Sequence, residues 1–321
     1  MVTVWLEFEK PVLELEQKIQ ELREHAAERG LEADSELAEL VRKAEAMRAE
    51  IYSKLTRYQR VQIARHPRRP YTLDYLELCF TDFKELHGDR HFADDPAIVA
   101  GMAFLDGRPV MVIGQQKGRD TKENLVRRFG MANPEGYRKA LRLMQLATRF
   151  RLPIVTLVDT AGAYPGLGAE ERGQAEAIAV NLREMATFDV PIITVVIGEG
   201  GSGGALAIAV ADVVLMFENS IYSVISPEGC ASILWRDGKQ GAKAAEALRL
   251  AAPDLVSLDI VDGVLPEPVG GAHRDWPTAA ATLKAAVLEN LDRLSGVPPQ
   301  ELLARRAARF RRIGVFHEAD A

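Results

Sequence analysis

Val158-Asp159-Thr160-Ala161-Gly162-Ala163-Tyr164-Pro165-Gly166 and Gly198-Glu199-Gly200-Gly201-Ser202-Gly203-Gly204-Ala205 are the stretches on which the fold of this 321-residue chain turns. Each follows an apolar run opened by proline, residues 153–158 and 191–197, whose Val, Ile and Leu read as buried strands. Glycine at a strand end relaxes φ/ψ limits and lets another group approach the backbone. Open α/β sheets place ligands at the carboxyl ends of their strands. The second stretch runs into a helical pattern at 203–211, whose first amides lack intrahelical acceptors and carry the positive end of the dipole. Two such turns in neighbouring positions can aim main-chain N–H groups at one developing negative charge. Close packing is the other reading of the same glycines.

Working outward, residues 170–188 read as a helix between the two strands, and 213–217 and 221–225 as further strands around a tight Asn219-Ser220 turn. Upstream, the apolar runs 97–105 and 109–114 flank Asp106-Gly107, a strong hairpin signal. Residues 138–150 are helical, and Asp275-Trp276-Pro277 opens a last long helix carrying Leu283, Val287, Leu291 and Leu294 inside. Strands separated by helices imply βαβ units and an α/β fold. Ahead of Pro67–Pro70, Val12, Leu15, Ile19, Leu22 and Ala26 form one helical stripe behind Pro11. After a stop at Gly30 and a cap at Asp34 or Ser35, Leu37, Leu40, Ala44, Met47, Ile51, Leu55 and Tyr58 form a second. The organisation is then a helical hairpin over 1–65, a main domain over 66–296 and a basic helix over 297–321.

A net charge of −6 argues against a general nucleic-acid binder. No apolar stretch of about 18 residues predicts a membrane span. The N-terminus meets acidic residues before any apolar run, unlike a signal peptide. Cys79 and Cys230 match no zinc spacing and are expected to stay reduced in a cytoplasmic protein.

Two other chemistries fit the second stretch. Gly198, Gly200 and Gly203 match G-x-G-x-x-G with Glu218 ending the next strand, as in an NAD-dependent oxidoreductase. The predicted helix is short for that fold, and the Asn219-Ser220 turn is unlike a parallel crossover. The stretch also matches G-x-S-x-G, with Ser202 as nucleophile and His273 downstream, as in a serine hydrolase. A serine among glycines is more often a turn residue.

Longer segments carry a resemblance. They include Ala64-Arg65-His66-Pro67, Gly114-Gln115-Gln116-Lys117-Gly118-Arg119, Pro134 to Met144, Gly162 to Gly166, Glu170 to Gln174, Gly198 to Ala207, Tyr222 to Ala231, and Gly270-Gly271-Ala272-His273-Arg274. Together they resemble the alpha subunit of the multi-subunit acetyl-coenzyme A carboxylase carboxyltransferase, densely from about 65 to 274. The resemblance implies a crotonase-like (Clp/crotonase) spiral of ββα units, with two stacked sheets and helices outside. It implies carboxyl transfer from carboxybiotin on the biotin carboxyl carrier protein to acetyl-CoA, giving malonyl-CoA for fatty-acid synthesis. The ureido oxyanion left by CO₂ loss takes the methyl proton, so amide donors are needed and a protein base is not. Implied partners are a beta subunit with a four-cysteine zinc ribbon, the carrier protein and biotin carboxylase, in an alpha2beta2 core. ATP and nucleotide binding are implied for the enzyme. By analogy Gly204 and Ala205 donate the amides, Gly201 and Gly203 allow close approach, and Gly162-Ala163 is the second wall. Tyr164, Lys117 and Arg119 are further expected contacts on the cofactor and substrate side, and no metal ligand is expected in this chain. The family commonly has Pro where this chain has Ala161, which loosens φ without removing a donor.

Lys117, Arg119, Lys122, Arg127 and Arg128 form a basic loop that attracts CoA phosphates or an acidic carrier face, or else is a solvated, paired surface. His87 and His91 read as ordinary hydrogen-bonding residues rather than metal ligands. Cys230 reads as a small apolar residue, and the terminal arginines as a solvated helix face.

Overall fold

The computed structural model describes residues 5–29 and 34–314. Helices α1 (Lys10–Arg29) and α2 (Asp34–Ser53) form the expected hairpin, burying Val12, Ile19 and Ala44. The stop at Gly30 and the capping side chains of Asp34 and Ser35 lie outside the described residues. The second stripe does not continue to Tyr58 in one helix. It breaks after Ser53, and α3 (Arg57–Ala64) restarts behind Thr56, whose Oγ1 accepts from the Gln59 amide (3.2 Å) while Gln59 Oε1 accepts from the Thr56 amide (2.8 Å). The hairpin is tied to the main domain: Arg274 Nη1 donates to Glu16 (3.0 Å), and His273 Nε2 lies 3.7 Å from Glu9.

Next come α4 (Thr72–Cys79), β1 (Thr81–Glu85), β2 (Ile98–Leu105) and β3 (Arg108–Gln115). Asp106 (φ 47°) and Gly107 (φ 76°) make the two-residue turn between β2 and β3, the left-handed pair that matches strand twist. Then follow α5 (Thr121–Val126), α6 (Pro134–Arg149), β4 (Ile154–Thr160), α7 (Leu167–Glu171) and α8 (Gln174–Met185). The single helix expected over 170–188 is thus two, parted by Gly173 at φ 80°. Beyond them lie β5 (Ile192–Gly201), α9 (Ser202–Leu206), β6 (Val213–Phe217), β7 (Ile221–Ser223), α10 (Pro227–Trp235), α11 (Gly241–Leu248), α12 (Ala252–Ser257), β8 (Gly263–Leu265), α13 (Trp276–Ser295) and α14 (Pro299–Arg312).

Hydrogen bonding joins the strands in the order β1-β2-β3-β4-β5-β6-β8, antiparallel up to β3 and parallel from there, while β7 lies off this path and pairs with β5. This is one eight-stranded sheet rather than two separately bonded ones. The Asn219-Ser220 turn does not make a hairpin: β6 runs beside Ile193–Val196 and β7 beside Glu199–Gly201, both parallel to β5. Alternate strand residues feed two cores. Met111, Ile113, Ile154, Val158, Ile192 and Val196 meet α6 and α8 on one face. Val110, Val112, Val155, Leu157, Ile193 and Val195 meet α4 and α13 on the other. The basic terminal helix is solvated at Arg305, Arg311 and Arg312, but two of its arginines are buried. Arg306, 1% exposed, donates to Asp212 and to the carbonyls of Met185, Phe188 and Val190, and Arg309 pairs with Asp262.

Candidate active site

β4 and β5 are parallel neighbours, so their carboxyl ends, and the two glycine-bearing turns, emerge side by side. The turns touch through their backbones. A Cβ on Gly204 would sit 2.5 Å from the Ala163 nitrogen and 2.7 Å from the Gly162 oxygen. A Cβ on Gly201 would sit 2.5 Å from the Ala161 carbonyl carbon, so that glycine answers to the neighbouring turn, not to a ligand. Gly203 differs: the nearest atom to its Cβ position is Ile178 Cδ1 at 3.6 Å, and it borders a cavity.

The helix read over 203–211 is the five-residue α9, too short for a macrodipole to matter. What remains is amide geometry. Gly203 and Gly204 lie in the first turn, where N–H groups have no intrahelical acceptor, whereas Ala205 is four residues beyond the N-cap Gly201 and its N–H is the first to donate back along the helix, a correction to its reading as a free donor. On the facing turn the donors divide. Gly162 N–H donates to Thr160 Oγ1 (3.2 Å), which in turn donates to the Gly162 carbonyl (2.7 Å). Tyr164 N–H donates to the Ala132 carbonyl (3.0 Å). The Gly162 amide is therefore engaged, a correction to its reading as a free donor. Ala163, between the two, has no acceptor for its amide among the described residues, and it is the one against Gly204.

Beneath the turns lies a chain of charges. Lys117 Nζ donates to Asp159 Oδ1 (2.6 Å), which also accepts from the Glu199 amide (2.9 Å). Glu199 receives Arg65 (2.6 Å), which reaches Glu228 (3.0 Å). Burial works against the Lys117 ammonium, yet Asp159 and Glu199 hold its pKa above the ordinary lysine value. Arg119 donates to the carbonyls of Pro67 and Arg69 (both 2.9 Å), pairs with Asp74, and lies over the rings of Tyr71 (3.9 Å) and Trp276 (4.7 Å). Lys117 and Arg119 are thus bound into the scaffold rather than held out for phosphates. Arg127 and Arg128 donate to the Pro96 carbonyl and to Asp95. Tyr164 packs its ring on Gly166, where a Cβ would lie 3.1 Å from Tyr164 Cδ1, and so fixes the exit of the first turn.

A cavity of about 300 Å³ opens beside Ser202 and Gly203, walled by Leu206, Tyr222, Leu255 and Phe310. It is predominantly apolar, with Arg309 its sole charged lining residue among the described residues. Sequence reading missed Gln115. Fully buried at the end of β3, it accepts from the Asp159 amide and donates to the Gly204 carbonyl (both 3.0 Å). The signal was a pair of polar residues, Gln115-Gln116, ending an otherwise apolar strand.

The rival chemistries lose their geometry. Gly198 and Gly200 lie inside β5 and are crowded by Asp159 Oδ1 and the Tyr222 ring, so no pyrophosphate can approach them. Glu218 packs with Asn219, and its backbone carbonyl is held by Arg60. Ser202 is exposed at φ 55°, but His273 stacks on His66 (4.1 Å) and faces Glu9, and among the described residues no His, Asp or Glu lines the cavity beside Ser202. His87 Nδ1 lies 3.0 Å from Asp94. Cys79 is buried and Cys230 half-buried, both as free thiols. No described helix is long and apolar enough to cross a membrane.

Residues 5–314 match the family described as acetyl co-enzyme A carboxylase carboxyltransferase-like. The chain is 63% identical to the acetyl-coenzyme A carboxylase carboxyl transferase subunit alpha of Geobacter metallireducens, over 98% of both chains. It is 58% identical to the subunit of the same name from Thermus thermophilus, over 98% of this chain and 99% of that one. Among solved structures, the transcarboxylase 12S core superposes with a TM-score of 0.57 at 21% identity, over 69% of this chain and 41% of that one, a likeness of fold. The fold is the crotonase-like one of carboxyltransferases, and the chain belongs to the family of acetyl-coenzyme A carboxylase carboxyltransferase alpha subunits.

Proposed function

We propose that this chain is the alpha subunit of a carboxyltransferase that moves a carboxyl group from biotin on a carrier protein to acetyl-CoA, giving malonyl-CoA for fatty-acid synthesis. The observation that carries the reading is the seating of Gly204 against Ala163, which brings main-chain donors of two strand ends together. The N–H of Gly204, with that of Ala163 opposite, stabilises negative charge on one oxygen. Preorganised donors of this kind are worth roughly 3–4 kcal/mol each where water is excluded.

The cavity fits the cofactor. A compact bicyclic ring, apolar along its thioether side and polar at its ureido edge, suits an apolar recess of about 300 Å³ whose open flank is Gly203. When bound, biotin supplies the transferable carboxyl group and a ureido oxygen able to carry the charge and the proton. This chain's residues bind and orient: Leu206, Tyr222 and Phe310 exclude water, Gly203 leaves the flank open, and the first turn of α9 presents its donors. The Lys117–Asp159 pair keeps the two strand ends in register through the Glu199 amide.

The partners are a beta subunit bearing a zinc ribbon, the biotin carboxyl carrier protein and biotin carboxylase, with an alpha2beta2 core in the cytoplasm. This chain holds one side of the site, so alone it forms little malonyl-CoA and mixing with the beta subunit restores activity. Full activity of the isolated chain overturns the subunit reading.

A further inference from the structure

We propose that Arg309 is a specificity-determining residue that donates to the amide oxygen at the end of the biotin arm, so that the recess selects for the length of that arm; this rests on the reading of the recess as the biotin site. Three observations carry it.

First, the recess is long, and its polar groups stand at opposite ends. Ser202, Gly203, Leu206 and Ala209 line it at the spacing of one helical face, so it runs along α9 and the turn behind it. From Gly203 to Ala209 that face spans about 10 Å. The Gly204 amide lies at the near end. At the far end Val214, near the start of β6, donates its N–H to Asp262 (2.7 Å), and the same carboxylate holds Arg309 Nη2 (2.9 Å). The guanidinium is thereby fixed beside Val214, away from the glycine turn.

Second, the guanidinium has one edge left over. Its Nε donates to Asp262 (3.0 Å) and its Nη2 to the Ile260 carbonyl (2.9 Å), and its Cζ lies 4.9 Å from the centre of the Phe310 ring. Nη1 makes no hydrogen bond among the described residues, and it is not buried out of reach. Arg309 is only 7% exposed and borders the recess. An N–H held from water without an acceptor is costly, and a ligand oxygen at this end removes that cost. Asp262 already balances the charge, so what remains is a donor suited to a neutral carbonyl rather than to a free anion.

Third, the ligand carries oxygens at matching places. Biotin has a ureido carbonyl at one end, and its valeryl arm joins the carrier lysine through an amide carbonyl at the other. With the ureido oxygen against Gly204 and Ala163, the methylenes lie along Leu206 and Leu255 and the amide carbonyl falls at Arg309. Ile260, Phe310 and Ile313 are half-buried there, so the lysine chain can leave the recess. An arm with one more methylene either carries its carbonyl past Nη1 or pushes the ring off the amides.

The experiment uses the full chain assembled with its beta subunit and follows carboxyl transfer from malonyl-CoA to biotinyl-lysine and to its homologue with one further methylene in the arm. The variants are Arg309→Met, Arg309→Lys and Leu206→Trp. The parent is expected to favour biotinyl-lysine by about 10-fold in kcat/KM, the worth of one hydrogen bond to a charged group. Both Arg309 variants are expected to raise KM for biotinyl-lysine about 10-fold, with kcat and KM for malonyl-CoA within about twofold, and to bring the two acceptors within about twofold of each other. Arg309→Lys keeps a cation for Asp262 without the second N–H edge. Loss of the ion pair lowers the amount of folded enzyme but does not move the ratio between two acceptors. A parent that does not discriminate, or an Arg309→Lys variant whose ratio is unchanged, overturns the proposal. Leu206→Trp narrows the recess itself. If it raises KM for biotinyl-lysine while the Arg309 variants keep the parent ratio, only the role of Arg309 falls. If it leaves that KM unchanged, the recess is not the biotin site and the underlying reading falls with it.

Discussion

The first and second turns begin alike, as buried parallel strands ending in glycine, and they divide the work differently. The first closes on itself: Thr160 Oγ1 takes the Gly162 amide and returns a hydrogen bond to the Gly162 carbonyl, and Tyr164 is tied to Ala132. The second stays open, because β5 passes straight into α9 and the helix start offers amides that have no acceptor behind them. A self-satisfied turn makes a stiff wall, whereas an unsatisfied one makes a binding surface. Their contact at Gly204 lets the stiff turn hold the open one in place.

The sharpest way to break this comparison is Gly204→Val. The added Cβ would lie 2.5 Å from the Ala163 nitrogen, and backbone cannot yield as a flexible side chain would. The turns must part, and transfer is expected to fall by about a thousandfold, about 4 kcal/mol of barrier. Retention of activity in the reconstituted complex would show that the turns need not touch. Next in size is Lys117→Met, which leaves Asp159 1% exposed without its cation. Removing one partner of a buried pair destabilises by about 3 kcal/mol, read by denaturant unfolding of the chain. The sign with pH follows from the raised lysine pKa. The pair contributes fully below the unfolded value near 10.5 and is lost as pH rises through the higher folded one.

Both turns were legible from glycine at the end of an apolar run, because strand burial and backbone freedom leave local marks in the chain. So were the Asp106-Gly107 hairpin and the long helix behind Asp275. The division between the turns was not. Nothing in the string separates the Gly162 amide from the Ala163 amide; the difference is a hydroxyl two residues back, folded over by the bend after β4. Gln115 was hidden for the same reason, since its partners lie 44 and 89 residues away. The basic residues misled in the opposite direction. Lys117, Arg119 and Arg306 carry charge that suggests partners outside the chain, yet their partners are inside it and brought together only by the fold.

Thr160→Val tests the stiffness of the first turn alone. Valine fills the space but neither accepts from Gly162 N–H nor donates to its carbonyl, leaving a buried amide unsatisfied at about 2 kcal/mol. The thermal midpoint is expected to fall, and transfer with it by about tenfold as Ala163 loses its fixed direction. A drop in stability with unchanged kcat would make the first turn packing only, and the second turn the whole oxyanion site.

The smallest expected effect belongs to Ser202→Ala. Ser202 has the position and the left-handed φ of 55° that an activated serine would have, and it borders the cavity. It differs from one in what surrounds it: among the described residues none lining the cavity can take its proton, and His273 is held by Glu9 and His66. Alanine keeps the Cβ and the φ strain and removes only the hydroxyl. Transfer should change by no more than about threefold, about 0.7 kcal/mol, whereas a nucleophile would lose several orders of magnitude. Steady-state transfer by the assembled enzyme reads this directly. A large loss would mean that the hydroxyl, and not the amides behind it, meets the reacting oxygen, and the open turn would then work through a side chain.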